Sequence, residues 1–419
     1  MSKVQALNLH LHGTQIGVLL NYAGNHNRLI FAPEYQLLPA EKQPLITLAQ
    51  RLRPDYFTSN VSHLYHHRMT PLLSNLLPEG ILRDWIAQSL KIPPENEFPL
   101  LAQLGENLPG ALVATPLTHE LPQWAKIGTQ QPEQIELQTQ HQQKFSLAGV
   151  QMKFSGHKQD KRFYLNQLHG EDDWIIKTPF SLRRTVPQNE YSMMKLAELA
   201  GVVIPEIQLI ALTDLDGLPE IALAQNEEYA YAIKRFDRTL LAHKPQRIHS
   251  EDFAQIFELY PHNKYNKINY EQIGAVIYRY AEQGLAELQQ MARRLLVNIL
   301  LANGDAHIKN WSLFYPERQV RLAPAYDIVC TLPYIAQEAQ IALNLGKEKN
   351  WYQLNFSHFE QWTKRIGAPW QAIQVHLRDV LQLARQQWRN QLVHLPMDEQ
   401  HKVVLQRHWK NLHPDFRLD

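Results

Sequence analysis

The chain has 419 residues, 44% hydrophobic and 20% charged, which excludes a globally disordered chain and leaves room for two or three domains. Forty-two Lys and Arg against 41 Asp and Glu give a net charge of +1, which excludes a protein that grips nucleic acid through overall charge, though not through a local patch. The single cysteine, Cys330, excludes an internal disulfide and any multi-cysteine zinc or iron–sulfur site, and fits a reducing compartment.

The start, Met1 to His10, shows no apolar signal core and no small-residue cleavage site. No stretch approaches the roughly 20 apolar residues that span a bilayer. The default location is therefore the cytoplasm. Leu7, Leu9 and Leu11, a His12-Gly13-Thr14 turn, then Ile16, Val18 and Leu20 predict a β-hairpin, with Leu29-Ile-Phe31 as a pairing strand. Leu72, Leu73, Leu76, Leu77, Ile81, Trp85 and Ile86 have helical spacing, which Pro78-Glu-Gly80 divides into two short helices. A third helix ends at Gly105. Residues 116–144 are rich in Gln and carry Pro122 and Pro132, the composition of a polar connection with a short strand at Ile135–Leu137.

A second region opens near Phe145. Strands are expected at 162–168, 173–178, 207–213, 221–224 and 229–236, with a helix at about 188–200 ending at Gly201 and a turn at Asp216-Gly217. Beyond about 250 the pattern is mostly helical. Its strongest element is 285–302, with Leu285, Leu288, Met291, Ala292, Leu295, Leu296, Ile299 and Leu300 on one face. A strand pair brackets Pro316-Glu-Arg318, and 356–412 reads as helices. Strands first and helices second predict a two-lobed α+β domain with a cleft between the lobes.

Asn303-Gly-Asp305-Ala-His307-Ile-Lys309-Asn310 leaves that helix as a loop. An Asp followed five positions later by an Asn is the spacing of a kinase catalytic loop. The carboxylate accepts a proton from an incoming hydroxyl, the amide oxygen holds Mg²⁺, and Lys309 is placed to neutralise phosphate charge. The same residues also read as a helix cap followed by a surface turn. Seventeen positions on, Asp327 in Leu322-Ala-Pro-Ala-Tyr-Asp327 supplies a second metal carboxylate, or is simply a turn Asp. Trp174-Ile-Ile-Lys177 and Tyr231-Ala-Ile-Lys234 compete as the strand whose lysine meets nucleotide phosphates. Order along the chain favours Lys177, because the helix after it carries Glu190, while Lys234 suits a hinge. Phe145 to Ser155 is a candidate phosphate loop with one glycine, Gly149, and matches neither G-x-G-x-x-G nor the P-loop. These pieces stand in kinase order, which points to a phosphotransferase.

The residues themselves resemble the HipA family of bacterial serine/threonine kinases, the toxins of type II toxin–antitoxin modules, over nearly the whole chain. Ser146-Leu-Ala-Gly-Val-Gln-Met-Lys153, Trp174 to Pro179, Asn189-Glu190-Tyr191, Arg235-Phe-Asp-Arg238, His249 to Phe253, Asn303 to Asn310 and Pro324 to Asp327 carry the likeness. Ser74 to Gly80 and Leu104 to Leu112 are similar to the family's N-terminal module. The resemblance implies an N-terminal subdomain at 1–115, the connection at 116–144, a kinase N-lobe at 145–238 and a helical C-lobe at 239–419. It implies Asp305 as catalytic base, Asn310 and Asp327 as Mg²⁺ ligands, and Lys177 on the ATP phosphates beneath a loop of Ala148, Gly149, Val150, Gln151, Met152 and Lys153. It further implies Lys234, Arg235 and Phe236 at adenine through their backbone, His307 and Tyr326 lining the nucleotide site, and Ser146 as an autophosphorylated, self-inactivating serine. Asn303-Gly304 replaces the His-Arg of other protein kinases, and Ile328-Val329 replaces their Phe-Gly; both are normal for this family.

Family membership further implies a protein substrate among the aminoacyl-tRNA synthetases, such as glutamyl-tRNA synthetase, with growth arrest and persistence as the result. It also implies a HipB-like helix-turn-helix antitoxin, with operator DNA held mainly through that partner and no membrane. Two other readings stay open: a small-molecule phosphotransferase of the aminoglycoside type, and a catalytically idle corepressor bound to its antitoxin.

Overall fold

Alternating Leu7, Leu9 and Leu11, each fully buried, begin the architecture as the inner face of a strand. The computed structural model describes residues 2–61, 64–128, 130–137, 152–160, 162–165, 172–179, 183–218, 226–241, 244–335 and 337–418. They divide into two units, Met1–Ile175 with Asp237–Pro261, and Ile176–Phe236 with His262–Asp419.

In the first unit, Ala6–Leu11 and Thr14–Tyr22 form the expected hairpin. It closes at His12 and Gly13 with φ of 50° and 78°, the left-handed pair that matches strand twist. His26–Phe31 pairs with Thr14–Tyr22, and the antiparallel sheet runs Tyr65–His66, His26–Phe31, Thr14–Tyr22, Ala6–Leu11, Leu112–Pro116. Pro71–Ser74 and Gly80–Leu90 are the two short helices, and Glu97–Leu104 is the third.

The stretch after Pro116 does more than its polar composition suggests. Leu117, Leu121, Trp124 and Ile127 pack against Ala6, Val18, Leu20, Tyr22 and Ile30, with Ala125 buried among them. Four spaced apolar residues thus cover one sheet face, which is why Ile16 to Tyr22 is buried at every position instead of alternating. Ile135–Leu137 is a strand, paired with Ser2–Val4.

Asp237–Pro261 also belongs to this unit. The Asp237 carboxylate accepts from Gly110 N at 2.7 Å, and Glu251 accepts from Thr47 Oγ1 and Leu48 N, both at 2.6 Å. Gly110 has φ of 73°, and a Cβ there would lie 2.8 Å from Ser250 N, so the turn and the close approach both require glycine. Two motifs far apart in sequence, Leu104 to Leu112 and His249 to Phe253, are thereby one packed assembly. Arg238–Leu241 and Lys244–Arg247 form a hairpin at the start of the region that the resemblance assigns to a helical lobe.

In the second unit, Tyr229–Lys234 pairs antiparallel with Ile207–Ala211, and the strand ending at Lys177 lies on its other side. Val186–Leu199 is the expected helix. Gly284–Leu300 buries the predicted face and, from Met291 onward, almost its whole circumference. Tyr270–Tyr280 and Trp370–His394 pack on it. Glu399–Asn411 closes its end: Trp409 Nε1 donates to Leu300 O at 2.8 Å and His408 Nε2 lies 2.8 Å from Ile299 O, so carbonyls that a helix terminus leaves orphaned are satisfied. Ser312–Phe314 and Arg321–Leu322 are the expected strand pair. Gln340–Leu345 and Glu348–Asn350 form a further hairpin inside the helical region, with Ile341, Ala342, Leu343 and Leu345 buried. No helix among the described residues is long and apolar enough to cross a membrane.

Candidate active site

The loop after Gly284–Leu300 is built by Asn303. Its side-chain Oδ1 accepts from Asp305 N at 3.1 Å, while Nδ2 donates to Asn298 Oδ1 at 2.8 Å and to Asp327 O at 3.4 Å. One buried amide therefore ties the loop to its parent helix and to the segment carrying Asp327. Asn310 Nδ2 donates to Asp305 O at 2.8 Å, and His307 N to the same carbonyl at 2.7 Å. The five-residue spacing thus closes on itself, with the Asn310 amide nitrogen committed to the loop. Ala306 anchors the middle, its carbonyl accepting from Tyr270 Oη at 2.9 Å and Trp311 Nε1 at 3.1 Å. Beneath Trp311 lies the buried Arg294, 4.9 Å from the ring centroid, whose Nη2 donates to Ala323 O at 2.6 Å. Burial pulls its guanidinium pKa down to about 10. The Asp305 carboxylate is half exposed, 4.0 Å from His307 Nε2, and accepts from Tyr265 Oη.

Lys177 is buried and donates to both Glu190 and Asp327. Burial alone would discharge it; the two carboxylates outweigh that and hold its pKa above the ordinary value. Its ammonium also lies 5.5 Å from the centroid of the buried Tyr231 ring. Lys234 behaves differently. It is exposed, and its Nζ stands 3.7 Å from the equally exposed Glu206. Asp327 has a left-handed backbone, φ 55°. The chain beyond it is fixed by Asn189, the neighbour of Glu190 on the helix. Asn189 Oδ1 accepts from Cys330 N at 2.9 Å and its Nδ2 donates to Cys330 O at 3.0 Å. Two adjacent helix residues thus hold Lys177 and the chain just beyond Asp327.

Phe236, Phe314 and Tyr326 form an aromatic group. Phe236 stacks on Tyr326 at 5.9 Å with rings 22° apart, and meets Phe314 edge-on at 5.9 Å. Tyr326 Oη donates to Lys309 O at 3.1 Å and shares a 2.5 Å hydrogen bond with Ser312 Oγ. Arg235 and Lys309 are buried.

A further carboxylate stands beside the loop. Gly304 N donates to Thr331 Oγ1 at 2.9 Å, and Thr331 Oγ1 contacts Ala302 O at 3.0 Å and Glu338. The Thr331 hydroxyl thus has both Ala302 O and Glu338 as acceptors, and its bond to Glu338 opposes the effect of burial on that carboxyl. Burial pushes the Glu338 carboxyl up, and the Asp305 charge acts in the same direction.

Ser146, Ala148, Gly149, Val150 and Gln151 lie outside the described residues. Met152 and Lys153 are buried in the first unit, Lys153 as the first residue of the strand Lys153–Gln159. In the second unit the structure brings Lys177, Glu190 and Asp327 together, Asp305 with Asn310 and His307, and Phe236 with Tyr326. Sequence reasoning gives Asn303 no part beyond replacing His-Arg, and passes over Tyr265 and Glu338. An Asx residue two before the Asp is a local signal for Asn303. Tyr265 and Glu338 reach the loop only through tertiary structure.

The fold and this arrangement of lysine, helix glutamate, loop Asp and Asn, and following Asp define a kinase-like protein. Residues 145–388 match the HipA-like C-terminal domain and residues 7–115 the HipA N-terminal domain. The chain belongs to the HipA family of kinases. A putative kinase of Sinorhizobium fredii is 36% identical over 408 residues, 95% of this chain and 94% of the relative. The serine/threonine-protein kinase toxin HipA of Shewanella oneidensis is 24% identical over 308 residues, 67% of each chain. A solved structure of Shewanella oneidensis HipA, in a complex with HipB and its operator DNA, superposes with a TM-score of 0.70 at 20% identity, covering 97% of this chain and 95% of that one.

Proposed function

We propose that the protein is an ATP-dependent protein serine/threonine kinase, the toxin of a type II toxin–antitoxin pair. The observation that carries the reading is the buried Lys177 clamped by Glu190 and Asp327, with Asp305 and Asn310 closed together on a loop that Asn303 ties to Asp327. A buried cation between two carboxylates costs desolvation that a purely structural role would avoid with apolar residues. A nucleotide site needs it.

In this reading Asp305 accepts the proton of a substrate serine or threonine hydroxyl as its oxygen bonds to the γ-phosphorus and the bond to the ADP oxygen breaks. Lys177 meets the nucleotide phosphates, oriented by Glu190. Asp327 and the Asn310 amide oxygen offer hard oxygen donors that suit Mg²⁺, and no cluster of three or more His, Cys, Asp or Glu able to hold a metal exists among the described residues. Asp327 and Asn310 would hold the ion, which would supply countercharge to the phosphates of ATP, the phosphoryl donor. Phe236 and Tyr326 give adenine an apolar wall, with the backbone of Lys234 to Phe236 at its edge and His307 beside the phosphates. Residues 148–153 are assigned to phosphate binding as well. Ser146 is autophosphorylated in this reading, and its negative charge is incompatible with a neighbouring triphosphate, so modification switches the enzyme off.

The substrate in this reading is an aminoacyl-tRNA synthetase such as glutamyl-tRNA synthetase, whose loss arrests growth. The partner is a HipB-like antitoxin that carries most of the contact with operator DNA, consistent with the chain's net charge of +1. Incubation with γ-labelled Mg-ATP tests the proposal: wild type takes up label on the peptide holding Ser146, and Asp327→Ala does not. Label uptake unchanged in Asp327→Ala contradicts it.

A further inference from the structure

Tyr265 stands where a substrate should. Its Oη donates to Asp305 Oδ1 at 2.5 Å, and its ring meets the His307 ring edge-on at 5.2 Å. Lys264 Nζ lies 5.8 Å from the ring centroid. The residue is 38% exposed, so solvent reaches this contact. The loop that presents it is held on the C-terminal side of Tyr265. Asn266, left-handed at φ 65°, accepts from Lys349 Nζ at 2.8 Å through its side chain. Asn269 then starts the helix Tyr270–Tyr280 with a reciprocal capping box shared with Gln272.

An acceptor hydroxyl must come within hydrogen-bond reach of the base that takes its proton, roughly 2.6–3.2 Å between heavy atoms. The Tyr265 phenol already makes that bond, an O–H donated to a carboxylate oxygen. We infer that Tyr265 is an intramolecular stand-in for the acceptor hydroxyl, a cap on Asp305 that any acceptor must displace. It sets an entry threshold: a hydroxyl presented by a docked protein, with binding contacts elsewhere, displaces the phenol, whereas water or a small free alcohol does not. This rests on the reading of Asp305 as the base.

The test uses the full chain and water as the acceptor, so no protein substrate is needed. Phosphate release from Mg-ATP is measured for wild type, Tyr265→Phe, Lys349→Gln and Asp305→Asn. Tyr265→Phe keeps the ring on His307 and removes only the hydroxyl. It should raise kcat for hydrolysis about tenfold, with KM for ATP within about twofold of wild type. Lys349→Gln, which frees Asn266 and loosens the loop, should move kcat in the same direction. A gain of rate cannot come from misfolding. A change below about threefold in both variants, or a fall in either, overturns the cap. Asp305→Asn separates the two readings: hydrolysis retained there removes the base assignment, whereas hydrolysis lost there with Tyr265→Phe unchanged removes the cap alone.

Discussion

Glu338 lies against Gly304 so closely that a Cβ at position 304 would stand 2.2 Å from its Oε1. The residue that takes the place of arginine in other kinase loops is therefore glycine for want of space, and the occupant of that space is a half-buried carboxyl held by Thr331. Gly304→Ala should push the Glu338 carboxyl off Thr331 toward solvent and cost about 1 kcal/mol, the net worth of one hydrogen bond, because Thr331 keeps Gly304 N and Ala302 O. Adding Glu338→Ala should recover part of it. Chemical denaturation of the single and double variants measures the non-additivity.

The same carboxyl gives a pH signature. Its folded pKa is raised by burial, so the folded state binds more protons in the window above the ordinary value of 4.5. Its contribution is present below that value and is lost as pH rises through the raised folded value. Glu338→Gln should flatten the fall of stability with rising pH, read from denaturation midpoints across that window.

His408 acts with the opposite sign. Burial pulls its pKa from 6.5 to about 4, so the unfolded chain binds the extra proton between those values. Its contribution is full above pH 6.5 and is lost as pH falls toward 4, on the order of 3 kcal/mol. His249 in the first unit is depressed to about 4 by the same cause. His408→Gln can still donate to Ile299 O but cannot titrate. The slope of stability against pH between 4 and 6.5 should therefore decrease in the variant, whatever its offset.

Lys177 should be the most asymmetric position. Lys177→Ala leaves Glu190 and Asp327 facing each other, and removing one partner of a buried charge group costs roughly 3–5 kcal/mol. Glu190→Gln keeps a hydrogen-bonding group beside the lysine and should cost less. Thermal unfolding ranks the two, and calorimetric titration with Mg-ATP should show lost binding in Lys177→Ala and weakened binding in Glu190→Gln.

Much of this is legible in the sequence alone. The hairpin at His12-Gly13 and the helix leading to Asn303 follow from periodicity and turn chemistry, because one face of each is apolar and the sequence spacing records it. The choice of Lys177 over Lys234 rests on chain order, and the structure supplies the physical contrast: one buried between carboxylates, the other exposed. The hairpin Gln340–Leu345 with Glu348–Asn350 has large apolar residues at every second position, Ile341, Leu343 and Leu345, a short run which the surrounding helical pattern overshadows. The cover that Leu117 to Ile127 lays over the first sheet is four apolar residues spaced by Thr118, His119, Glu120, Pro122, Gln123 and Lys126. Tyr265 on Asp305 and Glu338 on Gly304 join residues 40 and 34 positions apart, and no local pattern encodes such contacts.

The central claim is that Asp305 is the base of a phosphoryl-transfer site. Its most direct test is intact-mass spectrometry after incubation with Mg-ATP, on wild type and Asp305→Asn, with ATP affinity measured on both. The account predicts a phosphate, about 80 Da, added to wild type. It predicts none on Asp305→Asn, at comparable ATP affinity. The same added mass on both proteins would contradict it.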